Sequence, residues 1–172
     1  MLNLYSLTPT EDGHNFTAVS GLTYSLYFGC HYLKDDNGKD IKTTSFGFSH
    51  EPRAVRNRIY DEKIKNTIQY VVLEFFQKNP DTGLIFVCNN ADRYGRHRYI
   101  TFSKWFKEVD APIEKFDCGE IHTKGGFYTS FLVRPDNPLK EYYVDAFYLT
   151  IYEYFPGISQ SEFESTDIVF FQ

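Results

Sequence analysis

Cysteine, methionine and tryptophan are scarce in this chain of 172 residues, which has three, one and one of them. Cys30, Cys88 and Cys118 are odd in number, far apart and form no Cys-x-x-Cys pair. That spacing supports neither a disulfide framework nor a thiolate zinc site, and the three read as small buried thiols in a reducing compartment. The five histidines (His14, His31, His50, His97 and His122) include no pair at helical ligand spacing, so neither a metal site nor a cofactor is indicated. No stretch approaches the ~20 apolar residues of a membrane span. The opening "MLNLYSLTPTEDGHN" lacks both the basic segment and the apolar run of a secretion signal. A Gly-x-Ser-x-Gly elbow, a P-loop and a dinucleotide fingerprint are all missing. Cations are the minority charge, 18 Lys and Arg against 23 Asp and Glu for a net charge of -5. That balance disfavours a protein that coats nucleic acid or anionic lipid through its overall field. The expectation is a soluble cytoplasmic protein with no membrane association, in which any anion binding is local.

What the chain does have is aromatic bulk: 14 Tyr and 17 Phe, enough for an aromatic core with tyrosine hydroxyls at its margin. With no linker and no repeat, residues 1–172 read as a single α+β domain, a mainly antiparallel sheet with about three helices packed on it. "FTAVSGLTYSLYF" is a hairpin turning at Ser20-Gly21, with Tyr24, Leu26 and Phe28 on one face. Asn37-Gly38 suits a second tight turn, and "TTSFGFS" alternates again at Phe46 and Phe48. From Asp61, a plausible N-cap, the period changes: Ile64, Ile68, Val71, Val72, Phe75 and Phe76 fall at helical spacing until Asn79-Pro80. "GLIFVCN" reads as a buried central strand, and Tyr99, Phe102, Phe106 and Val109 as the inner stripe of a second helix. Two further strands, "IEKFDCGEI" and "GGFYTSFLV", precede a third helix. Asn137-Pro138 is expected to start it, Leu139, Tyr143, Ala146, Phe147, Thr150, Ile151 and Tyr154 to form its stripe, and Pro156-Gly157 to stop it. Residues 157–172 form a C-terminal tail.

Six of the seven arginines stand in two short runs, "EPRAVRNR" at 51–58 and "DRYGRHR" at 92–98, each reading Arg-x-x-Arg-x-Arg behind an acid. The second run falls on a strand-to-helix turn. Cations there oppose the helix macrodipole, which favours anions by ~0.3–1 kcal/mol, so their clustering asks for a reason. An anion supplies one: free N–H groups at a helix start and guanidinium forks both match phosphate or carboxylate. Arg93, Arg96 and Arg98 are the primary candidates, with Lys104 and His97 beside them. Arg53, Arg56 and Arg58 are expected to approach from the other run, and Tyr94, Tyr99 or Trp105 to stack a base or an arginine. The competing explanation is a surface network in which Asp92, Glu51, Asp61, Glu62 and Glu108 pair with the arginines. Asp92 and His97 are the weak catalytic candidates, and Cys88, ending the buried strand, is the best placed of the three thiols.

The succession "TYSLYF", "SFGF", "EPRAVRNR", "EFFQKNP", "IFVCN" and "ADRYGRHRYITFSKWF" resembles a domain-of-unknown-function family common in Bacteroidetes, family 6169, over roughly residues 15–150. The strand and Arg-rich helix start ending in Trp105-Phe106 are its most specific part. The resemblance implies a small bacterial cytoplasmic protein and brings no established activity. The family strand tends to end in Cys-Asp; here the pair is Cys88-Asn89, and Asp92 is the carboxylate nearest to hand.

The reading that follows is a non-catalytic binding or regulatory module whose Arg-rich face takes an acidic protein segment or a phosphate. A nucleic-acid or nucleotide-processing enzyme built on the same arginines is the alternative, with nucleic acid disfavoured by net charge. A structural or oligomerising protein without a ligand site is the third.

Overall fold

The computed structural model describes residues 3–52, 60–88, 93–119 and 127–156. Within them one seven-stranded sheet carries three helices, the α+β architecture expected. Strands β1 (Thr8–Pro9), β2 (Gly13–Thr17), β3 (Thr23–Lys34) and β4 (Asp40–Glu51) form an antiparallel meander. Helix α1 (Glu62–Lys78) then carries the chain back to β5 (Leu84–Cys88), which pairs parallel to β4, as a crossover connection requires. Helix α2 (Gly95–Lys107) and strands β6 (Glu114–Asp117) and β7 (Tyr128–Val133) follow, and helix α3 (Lys140–Tyr154) closes the described chain. The spatial order is β1-β2-β3-β4-β5-β7-β6, so β5 lies in the interior, as its unbroken apolar run implies.

Local chemistry accounts for most of these boundaries. The Asp61 carboxylate accepts the Lys63 N–H at 2.9 Å and also the Tyr5 hydroxyl at 2.6 Å, capping α1 and tying the N-terminal segment to it. Gly21 and Gly38 take φ of +86° and +75° in the two hairpin turns, a conformation that L side chains disfavour. Where a helix start at Asn137-Pro138 was expected, the helix begins at Lys140. Asn137 Oδ1 instead accepts the Leu139 N–H at 2.9 Å, closing a turn that feeds the helix from two residues upstream. Leu139 and Tyr154, at the two ends of the expected stripe, are 49% and 68% exposed.

Alternation along β5 divides the interior. Leu84, Phe86 and Cys88 face α1 and α2, joining Phe46, Phe48, Phe102 and Phe106 in one cluster. Ile85 faces α3, with Phe131, Val133, Phe147 and Ile151 in the other. Helices α1 and α2 therefore cover one face of the sheet and α3 the opposite one. Cys88 and Cys118 are buried as expected, whereas Cys30 is exposed on β3. Among the described residues no helix is long and apolar enough to cross a membrane.

Candidate functional site

The turn between β5 and α2 positions the second arginine run. Arg93 takes φ of 65°, in the left-handed region, and Tyr94 precedes the first helical residue, Gly95. A residue with a Cβ is strained in that conformation by ~1–2 kcal/mol. Arg93→Gly is therefore expected to raise stability by about 1 kcal/mol, read as a rise of roughly 2–4 °C in Tm. An unchanged or lower Tm would show that the Arg93 side chain holds the turn.

On α2 the helical repeat sorts the charges. Phe102 and Phe106 are buried, while Arg96, His97, Lys104 and Lys107 are exposed on the outward arc around the half-buried Ile100. Residues 93–107 contain five Arg and Lys and no Asp or Glu. The chain as a whole has 18 cations and 23 acids, so everything outside this segment has 13 against 23. Lys104 and Lys107 suit the last turn of a helix, where the macrodipole favours cations; Arg96 stands at the unfavourable end. Among the described residues Arg93, Arg96, Lys104 and Lys107 have no ion pair with a carboxylate.

Three of the acids expected to tie the arginines down are engaged elsewhere. Asp61 caps α1, and Glu62 and Glu108 both pair with Lys65, whose buried stem crosses between α1 and α2. The Glu108 contact raises the Lys65 pKa. Asp92, together with Arg53, Arg56 and Arg58, lies outside the described residues, as do His122 and residues 157–172.

Trp105 is not beside the arginine run. Its ring stacks on Phe48 at 6.2 Å, and its carbonyl accepts the Gln69 side-chain amide at 2.6 Å, two turns beyond Arg98. The tryptophan thus serves the α1–α2 packing. Tyr94 is exposed, with its ring 6.1 Å from His97.

Beneath α2 lies a polar cluster that the sequence reading missed. Lys115 and Asp117 alternate onto the α2 face of β6, and Ser130 stands opposite Asp117 on β7. The Lys115 ammonium donates to both Asp117 oxygens at 2.5 Å, Ser130 Oγ donates to Oδ1 at 2.5 Å, and Tyr99 of α2 hydrogen-bonds to the same carboxylate. Lys115 also lies 5.1 Å from the centre of the Tyr99 ring. Burial pulls the Lys115 pKa down, partly offset by Asp117, and the same burial with the Asp117 charge pushes Tyr99 up. A signal was present: in "EKFD" the two charged residues stand at i and i+2, on one face of a strand. Half-buried Arg98 faces this region closely enough for its charge to act on Cys88.

The arrangement gives little support to nucleophilic or metal chemistry. Burial pushes the Cys88 thiol up to about 12, with Arg98 and Lys115 only partly opposing it, so it is protonated at neutral pH. Among the described residues no three His, Cys, Asp or Glu side chains gather as a metal site would need. An open groove of about 380 Å³ lined by Tyr5, Asn15, Thr17 and Lys63, among others, borders α1 and β2 and includes no residue of α2.

The chain belongs to a family of unknown function, DUF6169, whose model matches residues 60–148. The match runs from the residue before the α1 cap into α3, so it contains the 93–107 segment and leaves the 51–58 run and the N-terminal hairpins outside. No curated protein and no solved structure matches the chain.

Proposed function

We propose that this member of the DUF6169 family is a non-catalytic binding module, and that the outward face of α2 docks an acidic surface of a protein partner. The observation that carries the reading is the segregation of charge. A strongly acidic chain gathers five cations and no acid over residues 93–107, and Arg96, Lys104 and Lys107 stand exposed along one arc without a carboxylate among the described residues. From Arg96 to Lys107 the arc runs about 16 Å at 1.5 Å per residue, a length that suits an extended or helical run of acids better than one phosphate group. The ten excess acids elsewhere, 23 against 13 cations, would repel the flanks of a long nucleic acid.

The test uses a fluorescent poly-glutamate peptide titrated at low ionic strength, with inorganic phosphate and single-stranded DNA as competitors. The wild-type chain is expected to bind the peptide and to release it as salt rises. Arg96→Ala/Lys104→Ala/Lys107→Ala is expected to stay folded and to bind about tenfold more weakly, the sum of three modest surface contributions. Equal binding by the triple variant, or tighter binding of the DNA, overturns the reading.

A further inference from the structure

We propose that the partner of the α2 face is the α3 face of a second copy of this chain, an inference that rests on the docking reading above. The sheet separates two helices of opposite charge. Exposed on α3 are Glu141, Asp145 and Glu153, with exposed Tyr142 and half-buried Leu149 and Tyr152 between them. The β3–β4 turn adds Asp35 and Asp36 beside that face, joined to it by the hydrogen bond from the Tyr142 hydroxyl to Asp35 at 2.8 Å.

The cations near this surface are few, and two of the three are paired with carboxylates. Lys34 pairs with Asp40 at 2.8 Å and is also drawn by Glu153, Lys39 donates its backbone N–H to Asp35 at 2.8 Å, and Lys140 is divided between Glu114 at 3.0 Å and Glu141 at 3.5 Å. Asp145 has no ion pair among the described residues and is crowded by Glu141 and Asp36; burial first, then these two charges, raise its pKa. Such a face holds like charges together at a cost that a cationic partner relieves.

Complementarity extends to shape and chemistry. The acids of α3 from Glu141 to Glu153 span about 18 Å and the cations of α2 from Arg96 to Lys107 about 16 Å, so the two arcs match in length. Tyr142 and Tyr152 against Ile100 supply the aromatic and apolar contact that charge pairing alone lacks. Because α2 and α3 lie on opposite faces of the sheet, a copy that docks its α2 on a neighbour's α3 keeps its own α3 free. The contact is therefore heterologous, and assembly proceeds head to tail rather than stopping at a two-fold dimer.

Sedimentation analysis of the full chain across a concentration series tests this. At low ionic strength the mean mass of the wild type is expected to rise with concentration and to fall back to the monomer in high salt. Arg96→Glu/Lys104→Glu/Lys107→Glu removes one face and Asp36→Lys/Glu141→Lys/Asp145→Lys the other, so each alone is expected to be monomeric. Mixed in equal amounts, they are expected to associate again, because the native α3 face of the first meets the native α2 face of the second and the two reversed faces are also opposite in charge; a mixture that stays monomeric overturns the proposal. Circular dichroism checks the fold, and the glutamine versions of the first set replace it if charge reversal unfolds the chain. A wild type that binds poly-glutamate yet stays monomeric overturns the self-partner and leaves the docking face standing. Failure to bind the peptide and to self-associate overturns both.

Discussion

Lys115→Met is expected to destabilise the fold by about 3–5 kcal/mol, the usual result of removing one member of a buried ion pair. The Lys115 side chain is only 4% exposed, and both of its short contacts are to Asp117. Methionine fills much of the same volume, so the loss is electrostatic rather than a cavity. It leaves a carboxylate at the edge of the core with Ser130 and Tyr99 still bonded to it and its counter-charge gone. Equilibrium urea denaturation measures the change. The double variant Lys115→Met/Asp117→Asn is expected to be more stable than Lys115→Met alone, because the uncompensated charge is then removed while Ser130 and Tyr99 keep an oxygen to bond. If Lys115→Met costs under about 1 kcal/mol, the pair contributes nothing beyond the lysine stem.

The same cluster bears on how α2 is held. Tyr99 reaches down from α2 to Asp117 on β6, so a helix with four cations is fastened to the sheet partly through a buried carboxylate. Asp117, beneath α2, is thus already committed, to a lysine, a serine and a tyrosine. Beneath α2 the Lys115–Asp117 pair is neutralised within the protein, while Arg96, Lys104 and Lys107 on its outer arc are exposed.

Much of the fold was legible because local rules and tertiary needs coincided. Asp61 caps α1, the Ile64-to-Phe76 stripe faces inward, Gly38 turns the second hairpin, and β5 is buried on both faces. Periodicity states which face of an element is buried but not which strand lies beside it. The parallel pairing of β5 to β4 and the insertion of β7 between β5 and β6 therefore had no local signature. β1 is two residues long and exposed, too short for any pattern. For the site, composition singled out Arg93, Arg96 and Arg98, and helical spacing explains why Arg96 joins Lys104 and Lys107 outside while Arg98 turns half inward. Nearness in sequence groups Trp105 with the arginines, but at seven residues from Arg98 it packs two turns away against Phe48. The Lys115–Asp117 pair was hidden because charged residues in a short strand read as solvent-facing until the helix above them is placed.

Phe102→Ala is expected to cost about 3–5 kcal/mol and to loosen α2 ahead of the rest of the molecule. The ring is 3% exposed and stacks on Phe86 at 3.9 Å, with Phe46, Phe48 and Phe106 at 6.2, 6.5 and 5.7 Å. Only Gly95, Phe102 and Phe106 of α2 are fully buried, so one truncation removes a large share of its anchorage. Helix α1 has seven buried positions to draw on, and α3 six. Hydrogen exchange is therefore expected to show protection lost first along residues 95–107, with α1 and α3 retaining theirs. Phe102→Leu, which keeps most of the volume, is expected to cost under about 1.5 kcal/mol and to restore that protection. Poly-glutamate binding separates the two roles of the helix: if the basic arc acts only when α2 is docked, affinity falls in Phe102→Ala and returns in Phe102→Leu, although neither substitution touches a charge. Affinity that survives in Phe102→Ala with α2 unprotected would mean that the cations bind as a flexible basic segment and that the ordered helix face plays no part.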